Sequence, residues 1–507
     1  MKHTYTAFLV LIFTCPLTAQ PVTDTLLAKI LQPADIQADF RYFRRLLEET
    51  HPGLYRYTPK PIMQAKLDSL AGTLIHPMPF YDFFRMIESL VADIRCAHTH
   101  ALPTKDWQRL FNSHWKTMPF FMLPVQGRSY VLFNGTADQT IKPGFELIRI
   151  NGQSIERIRE QVYRYYWADG YNQTSKQAAF QGQLFTLFYY WFVDHPDTYH
   201  LTFRNLTGDT VQVDAPAQPF RETLKGYKKN PVNKQMLAWY NKKRPKHPWR
   251  LSFPKDSPQT ALLRIDSFGG EGAKTSDEAI EKFRQFMDRY MATMEQKKTR
   301  HLIVDVRANP GGWDSQGIEL FTYLMKSDSA IAYYDRQHSV TDSSEFLQFS
   351  DLSEIDRKNV KNELIPESDG TFTLKQGDVG RGPRRYTPKP NRFRGNVYIL
   401  LDGRSASTTS EFLAVAHANK IGVFVGEEAG GVYEGGNGGS FIHLELPHSK
   451  IQVGTPLLYY DNAVGNVATR GRGTIPDYPV SITLADVLNR TDSQLDFVKK
   501  RIRDQTN

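Results

Sequence analysis

The stretch NVYILLDGRSASTTSEFLAVAHANKIGVFVGEEAGG, residues 396–431, decides the fold. The apolar residues 397–401 predict a buried strand, and a turn of small residues separates it from an apolar helix that begins at about Thr408. Ser407 in this turn would have a free hydroxyl, a backbone amide behind it and the positive end of a helix dipole beneath it. An acyl-transfer nucleophile needs these conditions, although serine is also a favoured helix cap.

A second strand and turn of the same kind lie upstream, in HLIVDVRANPGGWDSQGIELFTYLM at 301–325. Residues 302–306 predict a buried strand that ends in an Asn-Pro-Gly-Gly turn before another helix. The adjacent Gly311 and Gly312 allow the backbone to approach a ligand and to turn an N–H toward it. One amide here and one behind Ser407 would form paired donors for an oxyanion, whereas the alternative is a plain strand-ending turn.

The chain resembles the tail-specific or C-terminal processing serine peptidases, a group that includes the tricorn protease core and the retinoid-binding repeats of the eye. Four motifs carry the resemblance, in the order VDVRANPGG (304–312), SASTTSE (405–411), GEEAGG (426–431) and GRGTIPD (471–477). The amino-terminal half also resembles this family. It contains the counterparts of the family's opening helices (DFRYFRRLLEETHPGLYRYT), histidine motif (ADIRCAHTHAL) and PDZ-like domain (KPGFELIRINGQSI).

The resemblance implies a set of site residues. Ser407 falls on the nucleophile, and Glu411 falls on the acid that closes the family's serine motif. The oxyanion donors of the family fall on Thr408 and on either Gly311 or Gly312. The sequence therefore predicts a serine hydrolase site assembled from the two strand-ending turns.

The resemblance also suggests the base. The processing branch of the family uses a lysine after its Gly-Glu step, but no lysine follows Gly426-Glu427 closely here, which argues against a serine–lysine dyad. The tricorn-like branch uses a histidine, which falls on His98. An imidazole, with an ordinary pKa of about 6.5, can accept a serine proton at neutral pH without extreme desolvation.

A histidine base needs a third group that orients its ring. The tricorn-like branch uses a serine beside the histidine and a late glutamate, but Ala97 and the region of Arg470 occupy these positions here. Glu434 and Glu411 are the candidates for a substitute.

Other functions of the histidine segment have less support from the sequence than a catalytic base. His98 and His100 would share one face of a strand and could bind a metal. No third ligand follows at a spacing typical of metal sites, so we expect neither metal nor cofactor. Cys96 is expected to be a small buried residue rather than a nucleophile. His417 would lie about 15 Å along the helix from Ser407, too far away to act as its base.

Composition places the chain among ordinary folded proteins. It has 507 residues, 40% of them hydrophobic and 12% aromatic, which is enough for several domains with their own cores. The net charge of +9 is spread along the chain without a nucleic-acid-binding motif, so we expect no nucleic-acid partner.

Residues 1–19 have a basic start, an apolar run and small residues before Gln20, which predicts a secretory signal peptide. Lipidation at Cys15 is the alternative. With Cys15 removed, Cys96 would be the only cysteine, and no intrachain disulfide could form. No later segment is predicted to cross a membrane. We therefore expect an exported protein, periplasmic or associated with the cell envelope.

The sequence predicts an α/β multidomain fold, in which the catalytic core would be the crotonase-like (ClpP/crotonase) α/β fold that the resemblance implies. The expected units are a helical N-terminal domain (33–100), a PDZ-like β domain with a helical insertion (117–217), a linker (218–258), an α/β serine peptidase core (259–488) with an insertion (326–394), and a C-terminal helix or tail (489–507).

These features together predict an exported serine peptidase that hydrolyses peptide bonds through an acyl-enzyme on Ser407, with His98 as base. Its partner would be a peptide or an unfolded protein, and a homo-oligomer is left open. The alternative is a catalytically inactive protein that binds a peptide or an apolar ligand on the same fold. An esterase for small acyl esters would use the same residues with a different pocket.

Overall fold

The computed structural model describes residues 29–243, 247–375, 384–468 and 470–506. They form a mixed α/β fold of several sheets. The predicted signal peptide, with Cys15, lies outside the described residues. No helix within these ranges is long and apolar enough to cross a bilayer.

The N-terminal region is mainly helical, because its apolar residues recur at helical spacing and proline residues separate the first two helices. The apolar faces of its helices lie in one large hydrophobic cluster. The elements are β1 (Ile30–Leu31), α1 (Pro33–Thr50), α2 (Lys60–Thr73), β2 (Met78–Pro79), α3 (Phe80–Ile94), β3 (His100–Leu102) and α4 (Trp107–Ser113).

An antiparallel sheet with a helical insertion follows. Its elements are β4 (Lys116–Thr117), β5 (Phe120–Val125), β6 (Arg128–Asn134), β7 (Glu146–Ile150), β8 (Gln153–Ser154), α5 (Ile155–Tyr163), α6 (Thr174–Ala179), α7 (Leu184–Phe192), β9 (Thr198–Arg204) and β10 (Thr210–Pro216). The strand order is β10-β9-β7-β6-β5. Asn151 and Gly152, both with positive φ, turn the chain from β7 into β8, as their residue types predict.

The segment 218–258, expected as a linker, contains regular structure. Its elements are β11 (Gln218–Pro219), α8 (Phe220–Lys229), a short 3₁₀ turn (Pro231–Asn233), α9 (Lys234–Lys243) and β12 (Trp249–Ser252). This structure is held by contacts with other parts of the chain. Helix α8 packs through the buried Phe220 and Thr223, and β12 is the edge strand of the core sheet.

The core region begins with β13 (Thr260–Ile265), α10 (Ser276–Gln296), β14 (His301–Asp305) and α11 (Asp314–Leu324). The predicted insertion follows, with β15 (Ile331–Ala332), β16 (Tyr334–Ser339), a 3₁₀ turn (Glu345–Phe349), α12 (Glu354–Glu363), β17 (Leu364–Pro366), β18 (Phe372–Leu374) and β19 (Arg385–Tyr386). The chain then forms β20 (Asn396–Leu401), α13 (Thr408–Ala418), β21 (Val423–Gly426), β22 (Asn437–Glu445), β23 (Gln452–Asn462), β24 (Tyr478–Pro479), α14 (Leu484–Asn489) and α15 (Ser493–Thr506).

Two six-stranded sheets position the site. The core sheet has the order β12-β13-β14-β20-β21-β24 and is parallel apart from β12. Its central strands are apolar and buried on both faces, as helix-covered parallel strands are. The second sheet has the order β17-β18-β16-β23-β22, and β3 from the N-terminal region also pairs with β23.

Gly454 sits where the N-terminal region joins this second sheet. It pairs with His100, and a Cβ on Gly454 would lie 2.3 Å from the His100 ring. We expect Gly454→Ala to lower the free energy of unfolding by about 1–3 kcal/mol, because the buried ring must shift. Gly436→Ala, where nothing lies within 4 Å of the added Cβ, is the matched control and should be close to neutral. Urea unfolding measures both, and equal losses would contradict the packing argument.

Candidate active site

Two strand-ending turns meet at the carboxyl edge of the core sheet. β14 and β20 are parallel and paired in register, so the turns that follow them must leave the sheet side by side. The Ala406 amide donates to the Asn309 carbonyl at 3.1 Å. Asp402 Oδ1 accepts the Ala308 amide at 2.8 Å. These bonds fix one turn against the other.

A buried ion network fixes the base of the first turn. The Arg307 guanidinium, in a residue 7% exposed, contacts Asp305 and Asp492, each at 2.7 Å. Burial alone would raise the pKa of Asp305, but the guanidinium groups of Arg307 and Arg264 lower it to about 2. Both ends of the network are therefore charged at neutral pH, and the end of β14 is tied to the segment before α15.

Ser407 lies between β20 and α13 with φ of 54° and ψ of −133°. This backbone region costs a non-glycine residue of order 1–3 kcal/mol and is typical of a nucleophile elbow. The carbonyl of Ser407 accepts hydrogen bonds from the amides of Ser410 (2.7 Å) and Glu411 (3.1 Å), which hold the strained residue to the helix. Its side chain makes no capping hydrogen bond, so in the described structure the serine does not act as a side-chain cap.

The two predicted oxyanion glycines have different surroundings. Gly311 packs directly on the elbow, because a Cβ there would lie 2.7 Å from Ser407 Cβ and 3.1 Å from the Thr408 nitrogen. Its amide donates to Asn309 Oδ1 at 2.9 Å. Within the described ranges, no group accepts a hydrogen bond from the amides of Gly312 or Thr408. Gly311 is thus the spacer, and Gly312 and Thr408 provide the open donors.

A pair of buried acids lies beneath the elbow. Thr408 Oγ1 is 2.9 Å from Asp314 Oδ1, and the Tyr334 hydroxyl donates to Glu411 Oε2 at 2.6 Å. Burial and the neighbouring Asp314 raise the pKa of Glu411 to about 8, although the bond from Tyr334 opposes this. Glu411, predicted as a catalytic acid, is therefore protonated at neutral pH and supports the first turn of α13.

His98 lies in the turn between α3 and β3. The neighbouring Thr99 hydroxyl is 2.7 Å from Nε2 of the buried His51, and the ring of Phe441 on β22 stacks on the His98 ring with centroids 5.7 Å apart. Nδ1 of His98 is buried and has no hydrogen-bond partner among the residues described. These two contacts thus hold the turn, while one ring nitrogen is left for another group.

Asp169, which the sequence did not single out, joins the histidine turn to the serine helix. Its Oδ1 accepts the Ala97 amide at 2.8 Å, and a carboxylate oxygen lies within 4.8 Å of a His98 ring nitrogen. A Cβ on Gly431 would lie 3.7 Å from Asp169 Oδ2 and 2.1 Å from Ser410 Oγ, in the first turn of α13. The glycine pair of the GEEAGG motif thus allows the two parts of the site to come together.

Glu434, the other candidate for the third group, is bound through Oε1, while its Oε2 is buried without a hydrogen-bond partner among the described residues. Its Oε1 accepts the Gly471 amide at 2.8 Å and lies 3.6 Å from the Arg56 guanidinium. Arg470, at the position of the expected late glutamate, donates to the carbonyl of Arg56 at 3.3 Å. These contacts connect the late loop to the N-terminal region.

One cluster among the described residues could offer three ligands to a metal. Cys96, His98 and Asp169 place one ligand atom each within 4.8 Å of one another. Burial raises the pKa of the Cys96 thiol to about 12, so the thiolate that a metal prefers is costly to form. His100, the other ligand considered from sequence, lies on β3 and faces His443.

Comparisons with known proteins agree with this architecture. Residues 259–480 match the family described as peptidase family S41. The structure of mature CPAF superposes with a TM-score of 0.59 at 15% identity, covering 92% of this chain and 97% of that chain. Mature CPAF complexed with lactacystin gives 0.60 at 14% identity, covering 93% and 98%. No curated protein matches the sequence significantly.

The mixed α/β fold and the match of its core to a peptidase family indicate a serine-type peptidase. Residues 259–480 are thus similar to peptidase family S41, which supports the tail-specific or C-terminal processing family predicted from the four motifs. At this low identity, the likeness to CPAF shows the fold and nothing finer.

The buried Glu411 predicts a pH dependence of stability. A carboxyl whose pKa rises from 4.5 in the unfolded chain to about 8 in the folded protein favours folding fully below pH 4.5 and loses that contribution as the pH rises through 8. We expect the stability difference between the wild type and Glu411→Gln to change by up to about 1.4 kcal/mol per pH unit in this window. Urea unfolding at pH 5 to 9 measures it, and parallel curves would refute the assignment.

Proposed function

We propose that this protein is an active serine endopeptidase of the tail-specific type, with Ser407 as nucleophile and His98 as base. The strained backbone of Ser407 is the observation that carries the proposal, because such strain persists at sites where function requires it. The similarity of its core to peptidase family S41 supports peptide bonds as the substrate class. Export, suggested by residues 1–19, belongs to the same proposal.

In the proposed reaction, Ser407 Oγ attacks the carbonyl carbon of the peptide bond while its proton passes to a ring nitrogen of His98. The carbonyl electron pair moves to the oxygen, which accepts hydrogen bonds from the Gly312 and Thr408 amides. His98 then gives the proton to the leaving amine as the carbon–nitrogen bond breaks. Water, deprotonated by His98, hydrolyses the acyl-enzyme and restores Ser407.

The surroundings of the site support this division of roles. The Thr408 amide belongs to the first residue of α13, where helix amides lack intrahelical partners and the dipole favours negative charge. The loop of Gly312 is fixed against the elbow through Gly311, so its donor would need no reorganisation during the reaction. Preorganised donors of this kind typically contribute about 100- to 1000-fold each to the rate.

A fluorophosphonate probe tests the nucleophile and its base. We expect the mature wild type to be labelled, Ser407→Ala to be unlabelled, and His98→Ala to react about 100-fold or more slowly, because the base is lost. Ser252→Ala, an exposed serine on β12, is the control and should react like the wild type. If Ser407→Ala is labelled as strongly as the wild type, the proposal is wrong. A folded but unreactive wild type would favour the alternative of an inactive ligand-binding protein.

Gly311→Ala tests whether the close packing of Gly311 against the Ser407 turn is needed for reactivity. The added Cβ would clash with Ser407 Cβ at 2.7 Å, so we expect the elbow to shift and the labelling rate to fall about 100-fold or more. Gly208→Ala is the matched control. Its φ of 97° is close to the 101° of Gly311, so the backbone strain is similar, but nothing lies within 4 Å of the new Cβ. Equal labelling rates of the two variants would contradict the role of Gly311.

A further inference from the structure

We propose that Asp169 is the positioning residue that orients the imidazole of His98. The inference rests on the proposed function, since it concerns the base of the same site. Asp169 would take the role expected of Glu434 or Glu411, the third group beside the serine and the histidine. It lies in the helical insertion of the β domain, the antiparallel sheet of β5–β10. Asp169 would accept the Nδ1–H of His98 and leave Nε2 to face Ser407.

Three observations place Asp169 there. A carboxylate oxygen of Asp169 lies within 4.8 Å of a ring nitrogen of His98. His98 Nδ1 is buried and unpaired within the described structure, and a buried polar nitrogen costs free energy until it finds a partner. Asp169 Oδ1 already binds the backbone of the histidine turn at Ala97, so the carboxylate is fixed to the segment that it would orient.

The present separation fits a site without substrate. Hydrogen bonds of catalytic groups are often long in free enzymes and shorten only in the substrate complex. Oδ2 of Asp169 is 3.7 Å from the Cβ position of Gly431, whose loop would contact a substrate in the cleft.

The charges around Asp169 favour its role as an acceptor. Asp169 is 5% exposed, and this burial raises its pKa, while His98, the Ala97 amide and Arg56 act in the opposite direction. Glu434 is the neighbouring carboxyl that raises it further. The pKa of Asp169 is raised overall by burial, and these three partners limit the rise by favouring the charged carboxylate.

Other neighbours of His98 do not offer the same interaction. The Cys96 thiol is a weak acceptor and is itself buried. Asp314 is bound to Thr408 at 2.9 Å. Glu411 accepts from Tyr334 at 2.6 Å. Among the described acids, Asp169 is thus the one held beside the imidazole by a bond to the same turn.

The first test compares reaction rates. Asp169→Asn keeps an oxygen for the Ala97 amide but removes the charge, so we expect kcat to fall about 1,000- to 10,000-fold with little change in KM. The control is Asp461→Asn, which removes another carboxylate near Arg56, 3.9 Å from its guanidinium, and should cost no more than a few-fold. Asp169→Glu should restore part of the rate. Equal rates for Asp169→Asn and Asp461→Asn would overturn the proposal.

The second test does not depend on activity. The ¹⁵N shifts of His98 in histidine-labelled Ser407→Ala protein, assigned with the His98→Gln variant, report which ring nitrogen carries the proton. We expect the Nδ1–H form at pH 8 with Asp169 present and its loss in Ser407→Ala/Asp169→Asn. An unchanged tautomer would refute the positioning role even if the wild type reacts with the fluorophosphonate. An inactive wild type with the expected tautomer change would refute the proposed function alone.

A folding check accompanies both tests. Each variant is compared with the wild type by its melting temperature, because Asp169 is buried and its replacement can destabilise the chain. If Asp169→Asn does not fold, Asp169→Ser provides a smaller hydroxyl acceptor for the Ala97 amide and takes its place. The same loss of rate and of the Nδ1–H form is expected.

Discussion

The parallel register of β14 and β20 is the constraint on which the rest of the site depends. Because adjacent parallel strands end at one edge, the register brings the Asn-Pro-Gly-Gly turn against the serine turn. The segment after β13 supports the first turn, since the Phe268 amide donates to the Gly311 carbonyl at 2.9 Å. The bond from Ala406 to Asn309 and the close approach of Gly311 then leave Ser407 little freedom. The strain of its backbone is sustained because several independent contacts determine the same conformation.

The turn that holds His98, the proposed base, belongs to a different hydrophobic cluster from the serine helix. His98 follows α3, whose apolar residues pack with the N-terminal region and the β domain, whereas α13 packs with the core sheet. The pairing of β3 with β23 and the absence of a side chain at Gly431 allow the two clusters to meet. The position of the histidine relative to the serine therefore depends on how these parts pack together. We expect it to be more sensitive to distant packing changes than the arrangement of the two adjacent turns.

Local patterns predicted local structure well. The strand predicted over 397–401 lies within β20, and the helix after Ser407 begins at Thr408 as predicted. These features depend on apolar periodicity, capping and turn residues that are close together in the sequence. The regular structure in 218–258 was not predicted, because the segment is basic and interrupted by prolines, and its short helices show no long apolar repeat.

The site was predictable only in part, for a similar reason. The serine and the glycine pair lie in recognisable turns, but Asp169 is 72 positions after Ala97, and no spacing connects the two. Its only local sign is its place in a stretch rich in turn residues, which many surface aspartates share. Glu411 and Glu434 were better candidates by motif and by loop composition, yet their contacts are with Tyr334 and Arg56.

The two buried carboxyl groups near the serine show why proximity alone does not assign a role. Glu411 faces a second acid, Asp314, and one tyrosine, so its neutral form is favoured and its pKa rises to about 8. Burial and Glu434 also raise the pKa of Asp169, but an imidazole, a backbone amide and a guanidinium oppose the rise by favouring its charged form. A protonated acid cannot stabilise an imidazolium, whereas a carboxylate can. Of the two, the electrostatics therefore suit Asp169 to the histidine and Glu411 to the support of the helix.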